Sequence, residues 1–290
     1  MRGSSGILNL GAAVRGCLLY LMCQSLCAAP IADGPSRQIA ELTGISIEVY
    51  TYRPASCSPK AFLLVLHGTN RNAQDYLRYA TPLAETLCVI AVAPHFDKAR
   101  FATTQYQLGG IVASDPSQST GRLVTQLVAW LRAQVHHAEW PYALIGHSAG
   151  GQFLGRYAAS TANEARAIVL ANSGSYMFPS LEQPVPYGFG GLADADAALQ
   201  RYLAEPLVLL LGDEDVHADK NLPKTPQDLQ EGLNRRARGL NFFEAGKALA
   251  AQRHWEFRWR RLEVPGVAHQ GAKMLGSPQA LEALQGLAHP

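Results

Sequence analysis

Gly146-His147-Ser148-Ala149-Gly150 is the stretch of this 290-residue chain best suited to chemistry. The apolar run Tyr142 to Ile145 before it reads as a buried strand, and Gln152 to Ser160 after it reads as a helix. A serine between two glycines at such a junction is a nucleophile elbow. The turn is too tight for side chains at the flanking positions, and the hydroxyl is lifted clear of the sheet. The bare pattern arises by chance on the order of 0.1 times in a chain this long. Its specificity therefore comes from the strand before it and the helix after it. A serine hydroxyl is a weak nucleophile near neutral pH, so this reading requires a base, and a group that orients the base.

Both are found after later strands. Leu207–Leu211 ends in Gly212-Asp213-Glu214-Asp215, and Phe257–Val264 ends in Pro265-Gly266-Val267-Ala268-His269. In parallel α/β sheets, functional groups lie on loops beyond the C-terminal strand ends. Ser148, an acid and His269 each follow a strand in this way, in that chain order, with separations of 67 and 54 residues if the acid is Asp215.

The elements that must position these groups alternate between strand and helix. Ile45 to Arg53 alternates apolar and polar residues like a half-exposed strand, and Ala61 to Leu66 is apolar throughout, as for a strand covered on both faces. Ala73–Leu87 reads as helix, Cys88–Ala93 as strand, Pro94–Pro116 as a long loop and Gln118–His137 as helix. After the elbow come a strand at Ala167–Ala171, a Gly/Pro-rich excursion from Ser173 to Leu192 and a helix at Asp194–Leu203. The strand Leu207–Leu211, a mostly helical Gln227–Gln252, the strand Phe257–Val264 and a terminal helix from Gln270 complete the order. Residues 30 to 43 read as a mobile lead-in. The expected fold is α/β, a mostly parallel central sheet with helices on both faces, in one domain spanning residues 30–290.

With these residues in place, the chain resembles the α/β-hydrolase superfamily, as a secreted serine esterase or lipase-like member, over roughly Ile45 to Leu287. The resemblance rests on Gly-His-Ser-Ala-Gly-Gly, on His67-Gly68 after an early strand, on Gly-Asp-Glu-Asp after a late one and on Gly-Val-Ala-His after the last. It implies Ser148 as nucleophile, His269 as general base and, because the acid usually ends the Gly-x-x-Asp turn, Asp215 ahead of Asp213. It also implies an oxyanion hole from the N–H groups of Ala149 and Thr69. Thr69-Asn70 stands where lipase-type relatives carry further glycines, which loosens the second assignment. The implied reaction is hydrolysis of a small-molecule or polymeric carboxylic ester through an acyl-enzyme, with no cofactor and no metal. A peptidase of the same fold is the alternative within enzymes, and a catalytically inactive binding protein the alternative outside them.

Other candidates have plainer readings. His67 suits a structural hydrogen-bonder beneath the oxyanion loop, His147 packs or lines the cleft, and His136 and His137 end a helix where positive charge suits the dipole. His217 follows the acid turn and suits solvent. Asp213, Asp215 and Asp219 match no standard calcium loop. Phe96, Phe101 and Tyr106 on one loop, with Tyr176, Met177 and Phe178 on another, leave strand ends near Ser148. Phe96, Tyr106 and Tyr176 are the candidate substrate-binding residues, forming an apolar pocket or instead pinning their loops. The excursion 173–192 is short for a lid, so an open cleft is expected.

Composition narrows the setting. Arg2 and Arg15 precede a short apolar stretch, Gly16–Leu26, and then Cys27-Ala28-Ala29. Together these read as a secretory signal over residues 1–29, cut near Ala28, Ala29 or Ala32. Removing it leaves 23 basic residues against 23 acidic. That balance argues against a nucleic-acid partner, and Arg253–Arg261, interleaved with Trp255, Phe257 and Trp259, reads as a strand with a solvated arginine face. A secreted or periplasmic location follows, without a stable membrane anchor. Only Cys57 and Cys88 remain after the signal. If their strands are parallel neighbours, both cysteines sit at one end of the sheet within bridging reach, so a disulfide is expected.

Overall fold

The computed structural model describes Gly3, residues 31–111 and residues 114–287. The expected signal segment, residues 1–29, lies outside the described residues apart from Gly3. Eight strands form one sheet: β1 (Gly34–Leu42), β2 (Ile45–Arg53), β3 (Phe62–Leu66), β4 (Ile90–Pro94), β5 (Tyr142–His147), β6 (Ile168–Ala171), β7 (Leu207–Gly212) and β8 (Arg260–Val264). Their spatial order is β1-β2-β4-β3-β5-β6-β7-β8. The β1–β2 and β2–β4 pairs are antiparallel, and every later pair is parallel.

The apolar runs become strands because the sheet is covered on both faces. In β3, Phe62, Leu64 and Leu66 face one apolar core, and Leu63 and Val65 face the other. The helices α1 (Ala73–Leu87), α7 (Gly271–Leu275) and α8 (Pro278–Leu284) cover the second core. The first is covered by α2 (Arg122–Val135), α3 (Ala149–Ser160), α4 (Ala195–Leu203) and α6 (Arg235–Arg253). Each Leu or Phe buried this way contributes roughly 1.5–3 kcal/mol, and alternating side chains within one strand feed both cores.

Three sequence expectations are corrected. Residues 34–42 are not a mobile lead-in: they form the edge strand β1, paired with β2 over its whole length from Gly34 opposite Arg53 to Leu42 opposite Ile45. Backbone hydrogen bonds define an edge strand, and its polar composition, Ser36-Arg37-Gln38, hides it from a hydrophobic pattern. The helix expected over 227–252 is two, α5 (Pro226–Glu231) and α6, broken at Gly232, whose φ of 148° no helix accepts. The last strand begins at Arg260 instead of Phe257. Trp259 leaves the strand pattern, is buried and donates its indole N–H to the Tyr202 carbonyl at 2.9 Å.

β3 and β4 are parallel neighbours, and Cys57 and Cys88 are joined by a disulfide with Cα atoms 6.1 Å apart. It lies near the start of both strands, the opposite end of the sheet from Ser148. No helix among the described residues is long and apolar enough to cross a membrane.

Candidate active site

Ser148 sits between β5 and α3 with φ 57° and ψ −115°, a left-handed conformation uncommon for a residue with a side chain. Both flanking glycines are required by close approach. A Cβ on Gly146 would lie 2.4 Å from the Gly150 carbonyl carbon, and one on Gly150 would lie 2.2 Å from the Leu66 oxygen on β3. The Ser148 amide donates to the Ala171 carbonyl at 2.9 Å, which ties the turn to β6. The Ala149 N–H opens α3, where first-turn amides have no intrahelical acceptor and the helix dipole favours negative charge.

His269 follows β8, and Asp215 ends the turn after β7. The His269 Nε2 lies 3.0 Å from Ser148 Oγ, and its Nδ1 lies 2.7 Å from Asp215 Oδ2. An ionised carboxylate only accepts, so Nδ1 carries the proton and Nε2 is free to accept from the serine. Asp213 takes no part in this series: its Oδ1 accepts from the Gly266 amide at 2.8 Å and closes the loop that leads to His269. Asp215 is buried, with Arg235 Nη1 3.6 Å from its other oxygen. Arg235, from α6, is itself buried and donates to Asp219 at 2.9 Å.

At the end of β3, His67 is held as a structural residue. Its Nδ1 donates to the Gly68 carbonyl at 3.0 Å and its Nε2 accepts from the Phe96 amide at 3.1 Å. Burial pushes its pKa down to about 3, so it stays neutral. Thr69 lines the cleft beside Ser148. His147 is buried against His269, ring centroids 4.6 Å apart, and its Nδ1 is hydrogen-bonded with the Tyr76 hydroxyl at 2.8 Å. Burial, with the nearby charges of His269 and Arg235, holds its pKa well below the usual value. A neutral ring is thus packed against the candidate base.

The candidate substrate-binding aromatics lie elsewhere. Phe96, Tyr106 and Tyr176 are buried in the core beneath the cleft and line neither of its cavities. Phe96 stacks on Tyr106 at 5.2 Å, Tyr106 stacks on Phe153 of α3 and donates to the His67 carbonyl at 2.8 Å, and Tyr176 stacks on Phe242 of α6 at 4.5 Å. Long loops here are held by inserting their aromatics into the core, and the pinning alternative is the one the structure shows.

Several residues near the site gave no sequence signal. Asn172, after β6, accepts from the Gly212 amide at 2.8 Å and donates to the Ala268 carbonyl at 3.0 Å, joining the acid turn to the histidine loop. Arg71 braces the loop after β3 by donating to the Phe96 carbonyl at 2.7 Å. Arg156 of α3 is buried and donates to the Ser175 and Tyr176 carbonyls, both at 3.2 Å. A single buried polar residue, in a loop or on a helix, adds nothing to a hydrophobic period, so only its tertiary contacts reveal it.

Two cavities meet at Ser148. One, about 460 Å³, is lined by Gly68, Thr69, Asn70, Tyr79, His147 and His269 among others. The second, about 180 Å³ and more enclosed, is lined by Thr69, Ser148, Ala149, Gln152, Tyr187 and Asp228 among others. The wall of the larger is mostly polar, and that of the smaller is mixed, with more apolar than polar surface.

No family model and no curated protein matches the chain. Solved structures do. A poly(aspartic acid) hydrolase-1 from Sphingomonas sp. KT-1 superposes with TM-score 0.82 at 28% identity, over 88% of this chain and all of that one. A poly(3-hydroxybutyrate) depolymerase, LpqC, from Bordetella parapertussis superposes with TM-score 0.79 at 32% identity, over 88% of this chain and 90% of that one. FphF, a fluorophosphonate-binding serine hydrolase of Staphylococcus aureus, shares the fold at TM-score 0.55 and 14% identity, over 90% of this chain and all of that one. At 32% identity across nearly the whole of a relative the likeness exceeds a shared architecture, and this chain belongs to the α/β-hydrolase superfamily.

Proposed function

We propose that the protein is a secreted hydrolase of carboxylic esters that works through an acyl-enzyme on Ser148. The observation that carries this reading is the continuous series Ser148–His269–Asp215, at 3.0 and 2.7 Å. In this mechanism His269 takes the serine proton as Oγ attacks the ester carbonyl, and Asp215 holds the tautomer and stabilises the imidazolium that forms. The amides of Ala149 and Thr69 receive the oxyanion, each contributing about 3 kcal/mol in the transition state. His269 then gives its proton to the departing alcohol, and water, activated by the same histidine, releases the acid.

The two cavities divide the substrate between them. His269 must protonate the leaving oxygen, so the alcohol occupies the larger cavity, which His269 lines. The acyl group occupies the smaller one, which Ala149 lines and His269 does not. An open alcohol side suits a polymer, in keeping with the substrates in the names of the two most similar relatives described above. Export is supported by the N-terminal sequence pattern and by the disulfide, which suits an oxidising compartment.

The test is fluorophosphonate labelling of purified protein beside Ser148→Ala, with turnover of p-nitrophenyl acetate, butyrate and octanoate. Labelling and turnover are expected to vanish together in the variant, with octanoate the poorest substrate. Turnover that survives in Ser148→Ala would sink the assignment. A second reading, amide hydrolysis, is favoured by the poly(aspartic acid) hydrolase at 28% identity. Labelling without ester turnover would select it.

A further inference from the structure

The larger cavity at Ser148 carries one charge that the ester mechanism does not use. Asp219 lines it, together with Ser148 and His269. Its Oδ1 accepts from the Asn221 amide at 2.7 Å, the Leu222 amide at 2.9 Å and Arg235 Nη2 at 2.9 Å. Three donors on one oxygen fix the carboxylate, and 41% of the side chain remains exposed. Burial raises its pKa, but the hydrogen bonds from Arg235 and Asn221 and the charge of Arg235 outweigh it. The group therefore titrates below its ordinary value and is ionised at neutral pH. Arg235 does not cancel this charge. Its side chain is only 1% exposed, and it serves two carboxylates, Asp219 at 2.9 Å and Asp215 at 3.6 Å. One guanidinium against two carboxylates leaves one net negative charge. The other residues lining the cavity are Gly, Ala, Ser, Thr, Asn, Gln, Tyr and His, with no lysine or arginine among them. Lys220 and Lys273, next in sequence to lining residues, are exposed and are not part of the lining.

We infer that Asp219 sorts the leaving alcohol by charge: neutral and cationic leaving groups are accepted, and anionic ones are disfavoured. This deepens the hydrolase reading above and rests on it, because that reading places the alcohol in the cavity that Asp219 and His269 share. No hydrogen bond to the substrate is required. A fixed charge acts through space, and it acts more strongly in a cleft than in bulk water. An anion entering this cavity finds no lysine or arginine on the lining to pair with. A neutral chain is met by the Asn, Gln and Tyr groups of the wall, which can hydrogen-bond its polar atoms. An aliphatic polyester is neutral between its ends and satisfies this condition. A chain with a carboxylate on every unit does not. The reaction itself is unchanged. The ester C–O bond breaks, the acyl carbon bonds to Ser148 Oγ, the alcohol leaves with the proton from His269, and water releases the acid. Asp219 acts on which alcohol is accepted and takes no part in the bond-making steps.

The experiment compares three butyrate esters: that of choline, which carries a cation; that of 3,3-dimethylbutanol, its neutral isostere; and that of 2-sulfoethanol, which carries an anion. Values of kcat/KM are measured for wild type and for Asp219→Asn, which keeps an acceptor for Asn221, Leu222 and Arg235 and loses the charge. Intrinsic differences in leaving-group reactivity are the same for both proteins and cancel when their ratios are compared. The choline-to-neutral ratio should be about threefold higher in wild type than in the variant, and the sulfoethyl-to-neutral ratio about threefold lower, the scale of one partly exposed charge pair. In wild type the first ratio should fall and the second rise as salt goes from about 10 mM to about 500 mM, because the Debye length shrinks several-fold. A merely structural role for Asp219 would move neither ratio. The salt series needs no variant, so it tests the inference even if Asp219→Asn does not fold. Ratios equal in wild type and Asp219→Asn, or indifferent to salt in wild type, would each overturn the inference, while fluorophosphonate labelling and turnover of the neutral ester uphold the hydrolase. Absence of labelling and of turnover of all three esters would overturn the hydrolase reading itself.

Discussion

Asp213 and Asp215 stand two residues apart on the turn after β7, yet they have different partners. Asp215 Oδ2 meets His269, and Asp213 Oδ1 meets the Gly266 amide. Their removal should therefore have separable effects. Asp215→Asn leaves the shape intact but offers His269 Nδ1 an amide that can favour the wrong tautomer, so kcat is expected to fall about 10⁴-fold. Asp213→Asn keeps an acceptor for Gly266 and should retain most of the activity. Ester turnover of the two purified variants checks this, and full activity in Asp215→Asn with loss in Asp213→Asn would reverse the assignment. The same residue-scale logic applies to His147. Its ring is kept neutral by burial, so it can pack against His269 without adding a cation beside the candidate base.

At the scale of elements, the site is assembled where five parallel strands end. β3 leads to Thr69, β5 to Ser148, β7 to Asp215 and β8 to His269, while β6 supplies Asn172 between them. Asn172 holds the backbone of two loops at once, one bearing the acid and one the histidine. Asn172→Ala would leave the buried Gly212 amide without its acceptor, a loss of about 1–3 kcal/mol. The acid and the histidine would also lose their common tether. The expectation is a lower urea midpoint together with a drop in kcat that exceeds any change in fluorophosphonate labelling of Ser148. An unchanged midpoint would show that the tether is dispensable. Length and periodicity made the helices legible: α1 was expected over Ala73–Leu87 and is found there. The edge strand β1 was not legible, because its backbone pairing with β2 carries no hydrophobic signature.

For the molecule as a whole, buried neutral histidines make stability depend on pH. His67 has a folded pKa of about 3, against 6.5 for the unfolded chain. Between those values the unfolded state holds one more proton than the folded state, so stability is present above pH 6.5 and is lost as pH falls toward 3. The slope is about 1.4 kcal/mol per pH unit for each such group. His147, also driven down by burial, acts in the same direction. Urea midpoints between pH 6.5 and 4.5 should fall accordingly. His67→Gln, which can still donate to the Gly68 carbonyl and accept from Phe96 but does not titrate in this range, should flatten the dependence by one proton. An unchanged slope in that variant would show that His67 is not the group responsible.

What the sequence by itself determined was the fold class, the elbow around Ser148, the Cys57–Cys88 pairing and the order in which serine, acid and histidine occur. These follow from local rules. Apolar runs bounded by turns must become covered strands, glycines mark the tight turn, and parallel strands bring their C-terminal loops to one edge of the sheet. The tertiary structure alone decided which of two aspartates meets His269, because both fit the turn and only the facing of the loops separates them. It also placed Phe96, Tyr106 and Tyr176 in the core rather than on the cleft wall, since an aromatic on a long loop can satisfy either role until packing chooses. Asn172 and Arg156 became visible only through their partners. A single polar side chain adds nothing to a hydrophobic period, and its meaning lies in what the fold packs around it.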